Sequence, residues 1–456
     1  MANSMQTINY LNIIPYSSFN SWDVKYFLKK DSFFKPTIPL VLFGEFLSKS
    51  EIKKVNIEDN NTYEILGVRS YGKGAFINRE VKGNTLKMRV YQQAKPNHLF
   101  WCKVDTKNGA FGIITEELSK GLGSSNMTFA EIDIKKANAD FIQILFKSKR
   151  IYEYLDGFVT GTTNRKYIRP DQLINEIFIP LPALEEQNKI VARYNAKLQL
   201  AQQQEQQAKT LETEIERYLF DELGVEHKKD SYEKKIGSFL KIYKYSEFDK
   251  WGANQNNSNK IISNNSFELK KIKDICTVSS GGTPSRERKE YYKGNIPWIK
   301  TGEVVNGIIY DTEEKITKEA IENSSAKIYP KDSLIIAMYG QGTTRGRTAK
   351  LGIDASTNQA CAVLFNINNS VILTDYLWLY LMGEYDRMRE MASGNNQPNL
   401  NAQMLKDYNV IIPPFEIQTK IINTINSIKA KINELNVLSA KNKEVAIIEF
   451  ENEIFN

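Results

Sequence analysis

Residues 179–187 read IPLPALEEQ and residues 411–418 read IIPPFEIQ, so one proline-marked segment occurs twice in the chain. Proline breaks a helix interior, and it keeps the residue before it out of the helical conformation. A long stretch without proline or glycine follows each segment. The two segments therefore predict two long helices, one over residues 183–223 that begins near Leu184 and one over residues 414–456.

The repetition extends beyond these segments. Six residues of the first copy recur in the second at one common offset: Pro182, Glu185, Gln187, Lys189, Ile190 and Asn195 return as Pro413, Glu416, Gln418, Lys420, Ile421 and Asn426. A second block repeats as well, because LNIIPYSSFNSW at residues 11–22 resembles LKIYKYSEFDKW at residues 240–251. We infer that the chain is two tandem copies of one unit, which suits a target with two related halves.

Both predicted helices carry apolar residues in steps of three and four, which is the heptad pattern of a coiled coil. The residues that define the two stripes are Ile190, Tyr194, Leu198, Ala201 and Ile215 in the first helix and Ile421, Ile425, Ile428, Ile432 and Leu435 in the second. The natural partner of each stripe is the other. Because the first helix must return the chain to the second domain, we expect an antiparallel coiled coil.

The remaining sequence mixes short β-rich runs with helical patterns in both copies. Residues 39–43, 63–68, 98–104, 111–114, 296–299, 333–338 and 360–365 are predicted strands, and residues 139–155 and 375–391 are predicted helices. We predict a mixed α/β fold, in which two tandem globular domains are separated by two long helices and related by a pseudo-two-fold duplication. The predicted order is a repeated segment (1–22), a first domain (23–182), the first helix (183–223), a central region with repeat and linker (224–266), a second domain (267–413) and the second helix (414–456).

Composition narrows the functional classes. The chain has three cysteines and two histidines, far apart, which argues against a metal site or a disulfide framework. Its net charge of +7, from 61 basic and 54 acidic residues, is mildly basic and compatible with a polyanionic partner. Neither a membrane-spanning run nor a leader pattern is found in the sequence, so we expect a cytoplasmic protein.

A search for catalytic patterns points away from an enzyme. The segment before Phe415 resembles a DNA amino-methyltransferase motif, but Ile412 stands where an amide or carboxylate is needed. The loop at residues 340–348 lacks the glycine and lysine spacing of a phosphate loop. A nuclease that uses carboxylates such as Asp105, Glu131 or Asp133 is the enzymatic alternative.

Three loops contain polar residues suited to reading DNA bases, since arginine can bind guanine through two hydrogen bonds and glutamine can bind adenine in the same way. Loop 340–348 supplies Gln341, Thr343, Thr344, Arg345 and Arg347, loop 394–399 supplies Asn395, Asn396 and Gln397, and loop 161–166 supplies Thr162, Thr163, Asn164, Arg165 and Lys166. The alternative for each is an ordinary solvated turn.

A basic stretch with an interleaved aromatic residue lies in the first domain, between Tyr71 and Arg89. Lys73 and Arg79 are its candidate phosphate-binding residues. A plain solvated hairpin is the competing interpretation.

These residues together resemble one known family. The duplication, the repeated helix start at 179–187 and 411–418, the segment TRGRTAKLGIDASTNQA at 344–360 and the segment NGAFGI at 108–113 are similar to those of specificity subunits of type I restriction-modification systems. The second helix start departs slightly, with Ile417 in the place of Glu186. The resemblance covers essentially the whole chain.

The resemblance implies a non-catalytic subunit whose two domains each recognise one half of a bipartite double-stranded DNA site in the major groove. It implies that the helices set the spacer and dock two methyltransferase subunits, with restriction subunits joining the full complex. It also implies that S-adenosylmethionine, ATP and magnesium bind those partners and that this chain needs no cofactor. A stand-alone DNA-binding protein with two similar domains is the main alternative.

Overall fold

A computed structural model describes residues 33–51, 53–102, 108–155, 158, 168, 170–225, 267–340, 342–391 and 399–455. The chain divides into two compact units, one comprising Met1–Glu205 and Asn436–Asn456 and the other comprising Gln206–Leu435. The repeated segments at 11–22 and 240–251 lie outside the described residues, so the expectation for them stays a prediction. Along the described part of the chain, none of the helices is long and apolar enough to cross a membrane.

The first unit combines β-strands with short helices and parts of the long helices. Its strands are Leu40–Leu42 (β1), Leu47–Lys49 (β2), Lys54–Asn56 (β3), Thr62–Arg69 (β4), Gly74–Lys82 (β5), Val90–Gln93 (β6), His98–Cys102 (β7), Phe111–Ile113 (β8), Leu122–Gly123 (β9), Met127–Ile132 (β10) and Phe178–Pro180 (β11). Its helices are Ala139–Leu145 (α1), Lys149–Leu155 (α2), Pro170–Glu176 (α3) and the first part of Leu184–Glu222 (α4). The described strands form sheets in the orders β3-β6-β9-β4-β5, β2-β10-β7-β8 and β1-β11.

The second unit follows the same plan. Its strands are Glu268–Lys271 (β12), Thr277–Ser280 (β13), Ile296–Ile299 (β14), Ile308–Ile309 (β15), Glu314–Ile316 (β16), Ile328–Tyr329 (β17), Leu334–Ala337 (β18), Thr348–Leu351 (β19), Ala355–Thr357 (β20), Cys361–Phe365 (β21) and Asn409–Ile412 (β22). Its helices are Ile272–Ile275 (α5), Lys318–Glu322 (α6), Thr374–Gly383 (α7), Tyr385–Met391 (α8), Ala402–Lys406 (α9) and the first part of Phe415–Ile454 (α10). Its described sheets have the orders β13-β21-β18-β19-β15, β16-β14-β20-β17 and β12-β22.

The duplication is visible in the hydrogen bonds at the two helix starts. Gln187 is buried, donates from Nε2 to the Pro182 carbonyl at 2.7 Å and accepts at Oε1 from the Asn138 N–H at 2.8 Å. Gln418 does the same with the Pro413 carbonyl and the Leu373 N–H, both at 2.8 Å. Asn138 and Leu373 are the N-cap residues, immediately before α1 and α7. The repeated glutamine thus ties each long helix to a shorter one.

The long helices pair antiparallel within each unit. In the first unit, Arg193 contacts Glu453 at 2.6 Å and Lys197 contacts Glu449 at 3.1 Å. In the second, Lys420 of α10 contacts Glu222 of α4 at 2.8 Å. Residues further along α4 therefore contact residues earlier in α10, as in an antiparallel pair. The predicted fold class, mixed α/β with long antiparallel helices, is confirmed.

Apolar packing joins the helices to the sheets of their own unit. In the first unit, Ile190 of α4 and Phe450 of α10 belong to one buried cluster with Phe111 and Phe146, whose rings stack with centroids 3.8 Å apart. The corresponding cluster of the second unit includes Leu219, Ile421, Tyr376 and Leu405, among others. Each unit therefore has a core of its own.

Two predicted helices are each broken into two, so those predictions were wrong in their continuity. The first breaks between Leu145 and Lys149, where buried Ser148 accepts from the Arg150 N–H at 3.2 Å and donates to Glu451 at 2.6 Å. The second breaks at Glu384, whose buried carboxylate accepts a hydrogen bond from the Tyr408 hydroxyl. In both places a polar side chain bonded to a distant residue interrupts the helix.

Candidate nucleic-acid interface

Several loops of the second unit emerge at one end of its five-stranded sheet. The end of β18 meets the start of β19 through the Ala337 N–H and the Arg347 carbonyl at 2.9 Å. The Met338 N–H donates to the Ala360 carbonyl, just before β21, at 2.8 Å. The Gly281 N–H, just after β13, donates to the Cys361 carbonyl at 3.3 Å. Residues 339–340, 342–347, 358–360 and 281–285 therefore share this end, which we call the loop end.

The chain also returns to the loop end after the second predicted recognition loop. The Leu400 N–H donates to the Met338 carbonyl at 3.1 Å. Leu400 itself is fully buried. The segment that follows residues 394–398 is thus tied to the strand that precedes the loop 339–347.

Helix α8 holds the arginine-containing loop in place. The Tyr385 hydroxyl donates to the Thr343 carbonyl at 2.7 Å, and Arg389 Nη1 donates to the Arg345 carbonyl at 2.9 Å. Gly346 has a φ of +87°, and a Cβ there would lie 3.2 Å from Arg389 Cγ. The left-handed backbone and the close approach both explain why glycine suits this position.

Positive charge is concentrated in this loop. Burial, and then the charge of Arg389, lowers the pKa of Arg345. An arginine nevertheless stays protonated at neutral pH. Arg347 Nη2 donates to Thr343 Oγ1 at 2.9 Å, which orients a second guanidinium from the same loop. The arrangement suits a ligand with negative charge or with acceptor atoms such as the O6 and N7 of guanine.

Two further polar side chains lie at the loop end and were not among the predicted site residues. The Thr283 hydroxyl hydrogen bonds to the Gln359 carboxamide, and the Gln359 side chain is exposed. These residues are far apart in sequence, and the strand pairing of β13 with β21 brings them together. The sequence held only a weak signal, namely the polar run before β21.

Some predicted recognition residues lie outside the described part of the chain. They are Gln341, Thr162, Thr163, Asn164, Arg165, Lys166, Asn395, Asn396 and Gln397. Their roles stay predictions. Of the described candidates in the second unit, Thr343, Thr344, Arg345 and Arg347 all belong to the one loop held by α8.

In the first unit, the two basic candidates lie on one hairpin but at different places. Lys73 is exposed in the turn between β4 and β5, whereas Arg79 is exposed in the middle of β5. Six residues of extended chain span roughly 20 Å, so the two do not form one cluster. Strand β5 is the last strand of its sheet order, which leaves one of its edges without a neighbour among the described strands.

The side chains of the helix stripes point into the chain's own packing. Ile190, Tyr194, Ala201, Ile421, Ile425 and Leu435 are buried, and Leu198, Ile215, Ile428 and Ile432 are half-buried. The pairing of each stripe with the other helix accounts for the heptad pattern.

The carboxylates considered for a nuclease have ordinary surroundings. Glu131 is exposed on β10, and Asp133 accepts from the Lys135 N–H at 3.1 Å in the turn that follows. Asp105 lies outside the described residues. Among the residues that the structure describes, no group of three or more His, Cys, Asp or Glu side chains could hold a metal ion.

Comparison with known proteins finds one family. Residues 264–445 match the model of the type I restriction modification DNA specificity domain. The chain is 31% identical over 170 residues to the type I restriction enzyme MjaIX specificity subunit of Methanocaldococcus jannaschii, across 35% of this chain and 37% of that subunit. It is 22% identical over 170 residues to the EcoR124I/EcoR124II specificity subunit of Escherichia coli, across 37% of this chain and 42% of that one. The matches thus span less than half of these relatives.

Most of the chain shares its fold with a solved structure. A chain from a study of complex assembly and conformational transition of the type I R-M system superposes with a TM-score of 0.57 and 15% identity. The superposition covers 92% of this chain and 98% of that chain. The loop end lies within the matched residues: residues 264–445 match the type I restriction modification DNA specificity domain, and about a third of the chain is similar in sequence to type I restriction enzyme specificity subunits.

Proposed function

We propose that this chain is the DNA-recognition subunit of a type I restriction-modification complex. Each globular domain would recognise one half of a bipartite DNA site in the major groove. The loop end is the observation that carries the proposal, because it lies within residues 264–445 and combines a fixed arginine loop with the exposed amide of Gln359. Arginine and amide side chains are the groups that discriminate guanine and adenine.

The long helices would set the spacer between the half-sites and dock two methyltransferase subunits. This part of the proposal is supported by the antiparallel contacts that hold the helices together in each unit. Restriction subunits would join the full complex. S-adenosylmethionine, ATP and magnesium would bind to the partner subunits, so that this chain contributes target choice and no chemistry. The complex would act in the cytoplasm, where its DNA is.

The test is base-resolution mapping of adenine methylation in a methylation-free host that carries the cognate methyltransferase gene, with and without this chain. A bipartite methylated motif that appears only with the chain would support the proposal and would reveal both half-sites and the spacer. Identical methylation in the two hosts would contradict it. Gel filtration of the chain mixed with the methyltransferase then separates the alternatives, since a stand-alone DNA-binding protein would elute without it.

A further inference from the structure

The turn between β4 and β5 holds a tyrosine in an unfavourable backbone conformation. Tyr71 has a φ of +62°, in the left-handed region. Among the described residues, the other non-glycine residues with positive φ are Asn97, Asn306, Asp332 and Asn366. Asparagine and aspartate adopt this conformation readily, whereas a bulky side chain does so at a cost. The left-handed conformation of Tyr71 therefore requires an explanation.

Contacts from outside the turn impose this conformation. The Tyr71 N–H donates to the Asn108 carbonyl at 2.7 Å, and the Gly72 N–H donates to the Gly109 carbonyl at 2.9 Å. Gln143 Nε2 donates to the Gly72 carbonyl at 2.9 Å. Anchored to two other segments, the turn cannot relax without losing several hydrogen bonds.

The conformation is not compensated by burial of the tyrosine ring. The Tyr71 side chain is among the exposed large hydrophobic residues, with 59% of its surface accessible. Its ring meets that of Tyr152 edge-on, with centroids 5.8 Å apart, and the Tyr152 hydroxyl in turn bonds to the Phe146 carbonyl. The ring thus touches Tyr152 on one edge and is otherwise largely open to solvent, and backbone strain of this kind clusters at binding sites.

Exposed basic residues flank Tyr71 in the sequence. Lys73 is exposed two residues further on, in the same turn. Arg69, two residues before Tyr71, places its guanidinium 4.4 Å from the centroid of the Phe76 ring. An exposed aromatic ring in a turn that also carries basic residues suits a nucleic acid, since cations bind phosphates and the ring can contact a base.

We propose that residues 69–73, the Tyr71 turn, form a DNA-contacting element of the first domain. Tyr71 contacts a base edge in the groove, through its ring or hydroxyl, and Lys73 contacts a neighbouring phosphate. The inference rests on the proposed function and extends it by assigning a specificity-determining residue to the first half-site. Because the backbone of the turn is held before binding, less conformational freedom is lost when Tyr71 contacts a base.

The substitution Tyr71→Gly separates recognition from folding. Glycine adopts positive φ freely, so removal of the ring also removes the backbone cost. Asn97→Gly is the matched control, since Asn97 has a φ of +58° in another turn of the same unit. We expect both variants to unfold at urea concentrations no lower than the unmodified chain does.

Methylation mapping with the partner methyltransferase supplies the functional readout for all chains. Asn97→Gly should give the unmodified motif. Tyr71→Gly should lose discrimination at one position of one half-site, by about tenfold or more, while the other half-site is unchanged. Lys73→Ala should lower methylation at all sequences alike and reduce the salt dependence of DNA binding, as expected for a phosphate contact.

Three results would overturn the inference. An unchanged motif for Tyr71→Gly would mean that the ring does not contact a base. A lower unfolding midpoint for Tyr71→Gly than for Asn97→Gly would assign the ring to packing against Tyr152. If the unmodified chain directs no bipartite methylation, the proposed function fails and this inference fails with it. The first two results differ from this one, because in them the unmodified chain still directs bipartite methylation.

Discussion

Arg345 is fixed through its backbone, because its carbonyl accepts from Arg389. Replacing the side chain leaves that anchor in place, so Arg345→Ala isolates the contribution of the guanidinium. We predict that this variant weakens recognition of one half-site by about 1 to 3 kcal/mol if the guanidinium makes a bidentate contact to guanine. Binding of the assembled complex to duplexes altered in one half-site at a time measures this.

Lys318→Ala is the control for charge, since Lys318 is an exposed cation on α6 of the same unit. It should leave half-site preference unaltered. An equal loss across all sequences for Arg345→Ala would instead identify a phosphate contact.

A second residue-scale prediction concerns the buried carboxylate that interrupts the helical stretch 374–391. Glu384 is 1% exposed, contacts Arg387 at 3.3 Å and accepts from Tyr408. Burial, and then the charge of Glu384, holds the pKa of Tyr408 well above its usual value, so the phenol keeps its proton at neutral pH. Tyr408→Phe removes this donor and should lower the free energy of unfolding by about 1 to 3 kcal/mol.

Urea unfolding measures the loss. Tyr310→Phe removes the hydroxyl of an exposed tyrosine in the same unit and should change stability by less than about 0.5 kcal/mol. Equal stability of Tyr408→Phe and the unmodified chain would show that the carboxylate does not need this donor.

At the scale of elements, each long helix depends on one buried glutamine at its start. Gln418→Met keeps the size of the side chain but leaves the Leu373 N–H and the Pro413 carbonyl without this partner. We predict a loss of about 1 to 3 kcal/mol in unfolding free energy, since buried groups left unpaired carry their full desolvation cost. Gln187→Met should act likewise in the first unit, because its bonds are equivalent.

Glu416→Gln provides the control, because Glu416 is exposed in the same repeated block. Urea unfolding of the three variants measures this, and the free energy of unfolding of Glu416→Gln should equal that of the unmodified chain. If Gln418→Met were also as stable as the unmodified chain, the repeated glutamine would have no structural role at the helix start.

At the scale of the whole molecule, the prediction concerns the length of the helix pair. Removing one heptad from each helix, Thr210–Glu216 and Ile428–Glu434, preserves the antiparallel register. Both heptads belong to the second unit, and both lie between the Tyr218–Thr424 and Glu205–Ser439 hydrogen bonds that join the helices. Seven residues correspond to about 10 Å of helix, or about three base pairs at 3.4 Å each. Methylation mapping should show a shorter spacer and the same two half-sites.

A matched insertion of one heptad in each helix should lengthen the spacer instead. A change in the half-site bases themselves would contradict the idea that the helices measure distance. If the spacer had its original length in both variants, another part of the complex would set the distance between the half-sites.

Local signals determined much of this protein. The prolines before Leu184 and Phe415 predicted the start of both long helices to within about one residue, because proline acts on the conformation of its immediate neighbours. The strand predicted at 63–68 is observed at Thr62–Arg69, since alternating and β-branched residues favour extended chain. The heptad stripes and the duplication could likewise be identified from the sequence alone.

Only the tertiary structure decided the details of the candidate site. Thr283 meets Gln359 because β13 pairs with β21, and Arg345 is held because α8 lies against its loop. The break at Glu384 and the strained turn at Tyr71 depend on Tyr408 and Asn108, which are distant in sequence. Propensity and periodicity act over a few residues, whereas these features arise from contacts between segments that only the folded chain brings together.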